Sequence, residues 1–548
     1  MRLVLCFLSF SLLAQQPVHI QVNASEKLGA FKSNWNYFGY DEPNYTYAAN
    51  GRKLIEELAA LSVDPVQIRT HFLLTTGDGT PAFKWGSTNA YTEDAAGKPV
   101  YDWTIVDRIL DTYAHAGAKP LVEIGFMPKA LSSHPDPYVP VWKPGDKFDH
   151  YYVGWAYPPN NYDKWGELIY QLVKHSVEKY GKTNVESWNW EVWNEPNGGY
   201  WRGTPEEYDK LYDYAAAGVK RALPSAHVGG PGTTGPASPK AAAFLKQFLE
   251  HCLQTGAPLD FISYHAKGRP DVFQDHVRMG ISKELADTEE GFKIVESLPK
   301  FRRLPIILTE ADPEGCAACS ARVYPPNAYR NGTLYPAYEA AAFNAMLKLE
   351  DRHKVNLEGV LTWAFEFEDQ PYFDGFRTLA TNGVDKPVLN FFRMAGMLRG
   401  DRIKTQSDGA VELDSMLTAG VRQHPTIDAL ATRTSSGRGM AVMVWNYQDE
   451  DVSGPAAAID LKLEGLPKDV TRVLIRHYRI DQDHSNAYTA WKGMNSPQHP
   501  SAEEYTRLEA AGQLQLLDSP YWFSSVNGAG RIQFNLPLQA LSLLEVSW

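Results

Sequence analysis

The chain has 548 residues, of which 44% are hydrophobic and 22% are charged, a composition typical of globular proteins. This length exceeds what one ordinary hydrophobic core accommodates, so we expect a large domain and a smaller one. The formal net charge of −12 repels polyanions, which argues against nucleic acid or an anionic membrane surface as the principal partner.

The N-terminal segment MRLVLCFLSFSLLAQQP is typical of a secretory signal peptide. One Arg precedes an apolar run from Leu3 to Leu13, and Ala14 leads into polar residues. We therefore predict that residues 1–15 are removed and that the mature protein is exported, either periplasmic or secreted. The alternatives are a first strand or an uncleaved anchor, because Leu12 at the −3 position is not small. No later apolar run reaches 18 residues, so no membrane insertion is expected after cleavage.

From residue 31 onward, short apolar runs alternate with longer stretches of helical periodicity. Eight runs are predicted to be strands: Asn34–Gly39, Val66–His71, Pro120–Gly125, Trp188–Trp193, His227–Pro231, Phe261–His265, Pro305–Glu310 and Val360–Phe365. Helical stretches such as WTIVDRILDTYAHAG and TPEEYDKLYDYAAAGVKRAL lie between them and carry capping residues at their ends. Eight strand-then-helix units predict a (β/α)8 TIM barrel over residues 31–385, since a doubly wound sheet would not need eight.

After residue 385 the pattern changes to alternating strands separated by turns. Segments such as GMAVMVWNYQ, AAIDLKLEGLP, TRVLIRHYRID and ALSLLEVSW alternate apolar and polar residues. They predict a C-terminal β-sandwich domain over residues 386–548. Residues 16–30, which contain the segment VHIQVNAS, are predicted to add an N-terminal strand to this domain.

Two glutamates stand at the carboxyl ends of predicted barrel strands. Glu195 follows the fourth strand in SWNWEVWNEPNGGYW, and Glu310 ends the seventh in LPIILTEADPEG. Catalytic residues of TIM barrels lie at these strand ends, because they open onto the loop face. A pair of carboxyl groups facing each other across the mouth is the arrangement that cleaves glycosidic bonds. Judged singly, Glu195 has a structural alternative as an ion-paired acid at a helix start, and Glu310 as a barrel-end acid.

On these motifs the chain resembles glycoside hydrolase family 39, the family of β-xylosidases and α-L-iduronidases. The resemblance covers nearly the whole chain and extends to FISYHAKG, to EADP, and to RHYRIDQDHSNAYTAWKGMNSPQHPSAEEYTRLEAAGQL near the C-terminus. It implies that Glu195 is the acid/base and Glu310 the nucleophile of a retaining glycosidase. The neighbouring Asn194 is suited to hydrogen-bond the sugar 2-hydroxyl, and Trp193 and Trp201 are candidate apolar walls beside Glu195.

Two histidines also end predicted barrel strands, His71 in IRTH and His265 in SYH. At the mouth we expect them to recognise substrate hydroxyls, while the alternative for each is a satisfied structural histidine. Zinc would need a third ligand, and none is suitably spaced in the sequence. The sequence therefore predicts no metal and no cofactor.

The identity of the sugar depends on residues that resemble the iduronidase branch of the family. The segment Glu310-Ala-Asp-Pro resembles that branch rather than the xylosidase branch. Lys267 and Arg377 match positions that hold a uronic carboxylate, and Asp369 matches a further substrate-contacting acid. A Lys and an Arg are able to grip a carboxylate together, although each has the alternative of a solvated loop charge. The loop EGCAACSARVYPP is unlike either branch.

That loop contains Cys316 and Cys319. In an exported protein, a CxxC pair without a second Cys or His pair favours a short disulfide over half of a zinc site, and a free thiol pair is the other alternative.

The sequence thus predicts a retaining exo-glycosidase that removes a terminal sugar of xylo configuration from an oligosaccharide or polysaccharide, with a uronic acid favoured. Three alternatives stay open: a neutral β-D-xylosidase, an endo-acting polysaccharide hydrolase, and an inactive carbohydrate-binding barrel. The last is disfavoured because both glutamates are present.

Overall fold

The computed structural model describes residues 16–313, 319–363 and 365–548. Its strands are, in chain order, β1 (Val18–Ala30), β2 (Tyr37–Tyr40), β3 (Gln67–Thr70), β4 (Tyr91–Glu93), β5 (Pro99–Tyr101), β6 (Lys119–Ile124), β7 (Asn189–Val192), β8 (His227–Thr233), β9 (Phe261–Lys267), β10 (Asp271–Val272), β11 (Val277–Arg278), β12 (Pro305–Asp312), β13 (Asn356–Trp363), β14 (Ala380–Thr381), β15 (Val384–Asp385), β16 (Asp401–Ser407), β17 (Thr426–Arg433), β18 (Gly439–Tyr447), β19 (Ala457–Glu464), β20 (Arg472–Ile480), β21 (Gln515–Leu516), β22 (Tyr521–Ser524), β23 (Gly530–Leu536) and β24 (Ala540–Ser547). Its α-helices are α1 (Ala49–Ala59), α2 (Thr104–Ala116), α3 (Tyr162–Tyr180), α4 (Lys182–Val185), α5 (Pro205–Ala222), α6 (Pro239–Thr255), α7 (Ile281–Glu296), α8 (Leu334–His353), α9 (Pro387–Ala395), α10 (Leu413–Ala419), α11 (Ala487–Gly493) and α12 (Ala502–Gly512).

The eight predicted barrel strands form a closed parallel barrel, which confirms the predicted fold class. In chain order they are β2, β3, β6, β7, β8, β9, β12 and β13, and β13 pairs with β2 to close the ring. Helices between them begin or end at capping residues that the sequence predicts. Thr204 and Glu207 form a capping box at the start of α5, and α2 ends at Gly117 with φ of 85°.

The barrel interior has an apolar layer and a charged layer. Side chains nearer the amino ends of the strands, among them Leu121, Phe261 and Ile307, form a buried apolar cluster. Two residues further along their strands, Glu123 and Thr309 point into the same interior, because side chains two apart lie on one face of a strand. The charged layer therefore lies directly beneath the mouth.

The β-rich region is one mixed sheet of ten strands within the described chain. The N-terminal strand β1 belongs to it, antiparallel to β16 and parallel to β19. Leu461 of β19 and Ile475 of β20 lie near opposite ends of the strand order, yet both belong to one apolar core. The sheet therefore curls over and encloses its own core, as the two halves of a sandwich do.

The curled sheet contacts the barrel mouth through an excursion between β20 and β21 that contains α11 and α12. Trp491 of α11 packs on Phe373 with ring centroids 5.1 Å apart. Gln498 accepts a hydrogen bond of 2.9 Å from the backbone N–H of Tyr372. The second region thus holds the loop that follows the last barrel strand and leads to Arg377. Across the described ranges, no helix is long and apolar enough to cross a membrane.

Candidate active site

Glu195 stands at the open end of β7 in a strained backbone conformation. Its φ is 43°, and that of Trp193 is 74°, both in the left-handed region that L-residues rarely adopt. The turn is held by hydrogen bonds of 2.8 Å from the Glu195 N–H to the Gly232 carbonyl and from the Gly198 N–H to the Glu195 carbonyl. Such strain persists only where the surroundings impose it, which is common at active sites. The Glu195 side chain is 23% exposed, and its Oε1 lies 3.0 Å from His265 Nδ1.

Glu310, by contrast, is nearly buried and surrounded by cations. Its side chain is 9% exposed, Oε2 lies 3.0 Å from Lys267 Nζ, and Oε1 lies 3.3 Å from Arg69 Nη1. Burial alone would raise the pKa of Glu310, but the charges of His265, Lys267 and Arg69 outweigh it and hold this pKa well below its usual range. Glu310 is therefore an ionised carboxylate at neutral pH.

The two carboxyl groups face each other with His265 between them. One oxygen of Glu195, one oxygen of Glu310 and a ring nitrogen of His265 all lie within 4.8 Å of one another. His265 Nδ1 is 3.8 Å from Glu310 Oε2 as well as 3.0 Å from Glu195. Three such ligand atoms are close enough to share a cation, but the positive charges of Arg69 and Lys267 beside Glu310 oppose cation binding there. The absence of a metal stays a prediction.

Arg69 organises the floor of this site and was not singled out from the sequence. Its guanidinium is fully buried and donates hydrogen bonds of 2.6 Å to Glu191 Oε2 and 2.9 Å to Asn194 Oδ1. It also forms an ion pair of 2.8 Å with Glu123. Because the Asn194 oxygen is occupied by Arg69, its amide nitrogen is the group left to donate to a substrate. A charge inside an apolar strand, as in QIRT and LVEI, was the signal that could have revealed this cluster.

His71 is buried beneath the mouth and contacts Glu310 rather than solvent. Its Nε2 lies 3.5 Å from Glu310 Oε1 and 3.3 Å from Asp41 Oδ1, while Nδ1 hydrogen-bonds Glu123. Burial and the nearby Arg69 lower the pKa of His71 well below its usual value, so the ring is neutral. Both predicted histidines therefore touch a carboxyl group of the candidate site, and their contact with substrate hydroxyls stays a prediction.

Lys267 and Arg377 lie close together because both bind Asp312, a carboxylate of the protein itself. Asp312 Oδ2 lies 2.9 Å from Lys267 Nζ, and Asp312 Oδ1 accepts a hydrogen bond of 2.8 Å from Arg377 Nη1. Asp369 is exposed on the turn after β13 and makes no hydrogen bond to this group among the described residues. Asp312, the link between them, was not singled out from the sequence, although it stands two residues after Glu310 on the same face of β12.

The described part of the loop after β12 begins at Cys319, whose carbonyl accepts hydrogen bonds from Asn327 and Arg330. Cys319 is disulfide-bonded, whereas Cys316 lies outside the described residues, so their mutual pairing stays a prediction. Cys252 is a buried free thiol on α6. Trp193 and Trp201 pack against each other with ring centroids 5.2 Å apart and are buried, so they support the Glu195 turn from beneath.

The chain is similar to known proteins over most of its length. The family model for glycosyl hydrolases family 39 matches residues 18–517. A β-xylosidase of Geobacillus stearothermophilus is 28% identical over 90% of this chain and 88% of its own length. An α-L-iduronidase of Mus musculus is 26% identical over 70% of this chain and 62% of its own.

Solved structures match the fold over almost the whole chain. A monomeric β-xylosidase from Caulobacter crescentus superposes with a TM-score of 0.75 and 22% identity, covering 96% of this chain and 99% of that one. A bacterial orthologue of human α-L-iduronidase also gives a TM-score of 0.75, with 20% identity, covering 97% of this chain and 84% of that one.

Proposed function

The chain belongs to glycosyl hydrolases family 39, and we propose that it cleaves its substrate with retention of anomeric configuration. The observation that carries this proposal is the separation of the two carboxyl groups, whose nearest oxygens lie within 4.8 Å. Retaining enzymes place these groups about 5 to 5.5 Å apart, whereas inverting enzymes need about 6.5 to 9.5 Å to admit a water molecule between them.

The environments of the two acids assign their roles. Glu310, ionised and held by Lys267 and Arg69, attacks the anomeric carbon and forms a covalent glycosyl ester. Glu195, which is more exposed and has no Lys or Arg within ion-pair distance among the described residues, gives its proton to the leaving oxygen. In the second step the Glu195 carboxylate takes a proton from water, and the hydroxide releases the sugar from Glu310. The Asn194 amide donates to the 2-hydroxyl in both steps.

The stereochemistry of the first product tests this assignment. Proton NMR of a fresh reaction on an aryl β-D-xyloside, or on an aryl α-L-iduronide, is expected to show the anomer with the configuration of the substrate before mutarotation. First appearance of the opposite anomer would mean that water attacks directly and that Glu310 is not a nucleophile.

We further propose exo action, on the basis of a contact across the barrel mouth. Strands β6 and β12 are four places apart in the eight-stranded ring and therefore lie opposite each other. Gly145, in the loop after β6, packs so tightly on the loop after β12 that a Cβ at residue 145 would lie 2.6 Å from Val323 Cγ1. Loops that meet over the mouth leave a pocket rather than the open cleft that an endo-acting hydrolase needs. This supports removal of one terminal sugar.

For the sugar, we propose xylo configuration with a carboxylate at C5. Lys267 keeps 11% of its side chain exposed, and its ammonium has three donors for its two carboxylate contacts, Glu310 and Asp312. One donor is therefore free for a substrate carboxylate, with Arg377 beside it. The second candidate is a neutral β-D-xyloside. It is favoured by the longer match to a β-xylosidase and by Asp312, which already balances part of the charge of both cations.

A panel of aryl glycosides separates these candidates. Wild-type enzyme is assayed on xyloside, arabinoside and iduronide, and the same substrates are then given to Arg377→Ala. Loss of a charged hydrogen bond should weaken transition-state binding of the iduronide by about 1.5 to 3 kcal/mol more than that of the xyloside. The ratio of kcat/KM values removes any effect on Asp312 that both substrates share. A wild-type preference for xyloside, with both substrates slowed alike in the variant, would make the enzyme a neutral β-xylosidase.

A further inference from the structure

Three aromatic side chains between β6 and α3 form a continuous stack, which we call the aromatic ladder: Trp142, Phe148 and Tyr152. The ring centroids of Trp142 and Phe148 are 5.9 Å apart with an interplanar angle of 11°, and those of Phe148 and Tyr152 are 6.2 Å apart at 29°. All three rings are half-buried, so each keeps part of its surface open to solvent. No step of the hydrolysis described above uses them.

The inner end of the ladder lies against the turn that carries Glu195. Gly199 packs on the face of the Tyr152 ring so closely that any Cβ at residue 199 would overlap it. Tyr152 also meets the ring of Tyr200 at 5.2 Å. Burial and, next, the charge of Glu195 raise the pKa of Tyr152. Tyr152 therefore lies against the turn that carries Glu195.

The outer end of the ladder reaches the rim of the mouth. Trp142 follows Val141, which is 82% exposed, and precedes Gly145, which touches Val323 on the opposite loop. The middle ring, Phe148, lies with its centroid 5.9 Å from Lys84 Nζ. The ladder thus runs from the turn that carries Glu195 to the segment that contacts Val323.

We propose that the aromatic ladder is the subsite for the leaving group, and that it binds the sugar ring next to the terminal one by stacking on its flat C–H face. The proposal rests on the proposed role of Glu195, because the oxygen that receives its proton belongs to the leaving group and must lie beside Glu195. Aromatic rings at the edge of a polar pocket are the usual apolar surface for such a ring. The substrate class is then an oligosaccharide whose second residue is a pyranose.

A pair of substrates isolates this subsite from the rest of the reaction. Xylobiose and β-D-xylosyl fluoride carry the same terminal sugar, but the fluoride has a single atom as its leaving group and nothing to stack. For a uronide-specific enzyme, a disaccharide with terminal α-L-iduronate and α-L-iduronyl fluoride are the corresponding pair. The variants are Trp142→Ala and Phe148→Ala, with Trp142→Phe as the conservative variant and Trp522→Ala as a control. Trp522 is 59% exposed on β22 of the curled sheet.

Each alanine variant should lower kcat/KM on the disaccharide by about 2- to 12-fold, the scale of one aromatic stacking contact, and leave the fluoride unchanged. Trp142→Phe should keep most of the activity on the disaccharide, and Trp522→Ala should change neither substrate. An equal loss on both substrates would overturn the proposal, because the ladder would then line the terminal sugar. So would full activity of both alanine variants on the disaccharide. An inverted product from wild-type enzyme would instead refute the proposed role of Glu310. The comparison of the disaccharide with the fluoride would still test the leaving-group subsite.

Discussion

The charged layer of the barrel interior and the interior of the curled sheet differ in the polarity of their side chains. Beneath the barrel mouth, Arg69, Glu123 and Glu191 are fully buried, and Arg69 forms ion pairs with both glutamates. In the sheet, the corresponding space is filled by aliphatic side chains such as Val442 and Leu544. Buried charges contribute little net stability, since desolvation offsets their attraction, whereas buried aliphatic groups stabilise directly. The charged layer thus holds Glu310 and Asn194 in place, while the aliphatic core of the sheet contributes stability.

The largest expected effect is on the two glutamates at the barrel mouth. Glu310→Ala should lower kcat by at least about 10⁴-fold on every substrate, because no other group is placed to form the ester. Glu195→Ala should cost about 10²- to 10⁴-fold on alkyl glycosides, the range for general acid catalysis. On a 2,4-dinitrophenyl glycoside, which needs no proton, the first step should be largely preserved. Equal losses on all leaving groups in the Glu195 variant would remove it from the acid role.

Next in size is the loss of the buried arginine. Arg69→Met leaves Glu123 and Glu191 without their common partner in the interior, so the free energy of unfolding should fall by about 3 to 5 kcal/mol. The catalytic rate should fall as well, because Asn194 and Glu310 lose a donor. Urea unfolding and kinetics on the same sample measure both. Normal kcat in a folded Arg69→Met enzyme would show that the charged layer does not position the site.

The matched substitution in the sheet should separate stability from activity. Leu544 is fully buried in the core of the curled sheet, and Leu544→Ala should lower the free energy of unfolding by about 2 to 5 kcal/mol. Below its unfolding temperature the variant should keep wild-type kcat/KM. A reduced kcat/KM in fully folded protein would contradict the division of tasks between the two interiors.

His477 has the smallest effect at neutral pH, because it changes stability only in acid. Burial, and then the nearby Arg479, lower the pKa of His477 in β20 to about 3. Below a pH of about 6.5 the unfolded state binds a proton at this residue that the folded state does not, so stability falls by about 1.4 kcal/mol per pH unit as pH decreases from about 6.5 toward the folded pKa. The contribution of Glu310, whose folded pKa is depressed, is lost only as pH falls below about 4.3.

The sheet should therefore weaken in mild acid before the barrel site loses its charge. Unfolding followed between pH 7 and pH 4 is expected to show a shallower slope in His477→Gln than in the wild type. Identical slopes would show that His477 is not buried in its neutral form.

Much of this architecture could be predicted from the sequence, because local pattern determines it. Short apolar runs identified all eight barrel strands, and polar residues at their ends identified Glu195 and Glu310. The pairing of Arg69 with Glu191 could not be predicted from the sequence, because these residues are 122 positions apart and their contact depends on how the barrel closes. The same holds for Asp312, which links Lys267 to Arg377 across two loops.

Two further features had no local signal. The segment between β6 and α3 has no periodicity, so nothing in it indicated that Gly145 reaches the opposite loop. The parallel pairing of β1 with β19 joins residues more than 400 positions apart, and depends on the curl of the whole sheet. Long-range contacts of this kind are selected by tertiary packing rather than by neighbouring residues.

Covalent labelling tests the central assignment most directly. A 2-deoxy-2-fluoro glycoside with a good leaving group slows release of the glycosyl ester more than its formation, so the intermediate accumulates. Digestion and mass spectrometry of the inactivated enzyme should place one sugar on Glu310, and the Glu310→Ala variant should stay unlabelled. Stoichiometric labelling of another carboxylate would contradict the account. So would turnover with an inverted product and no label.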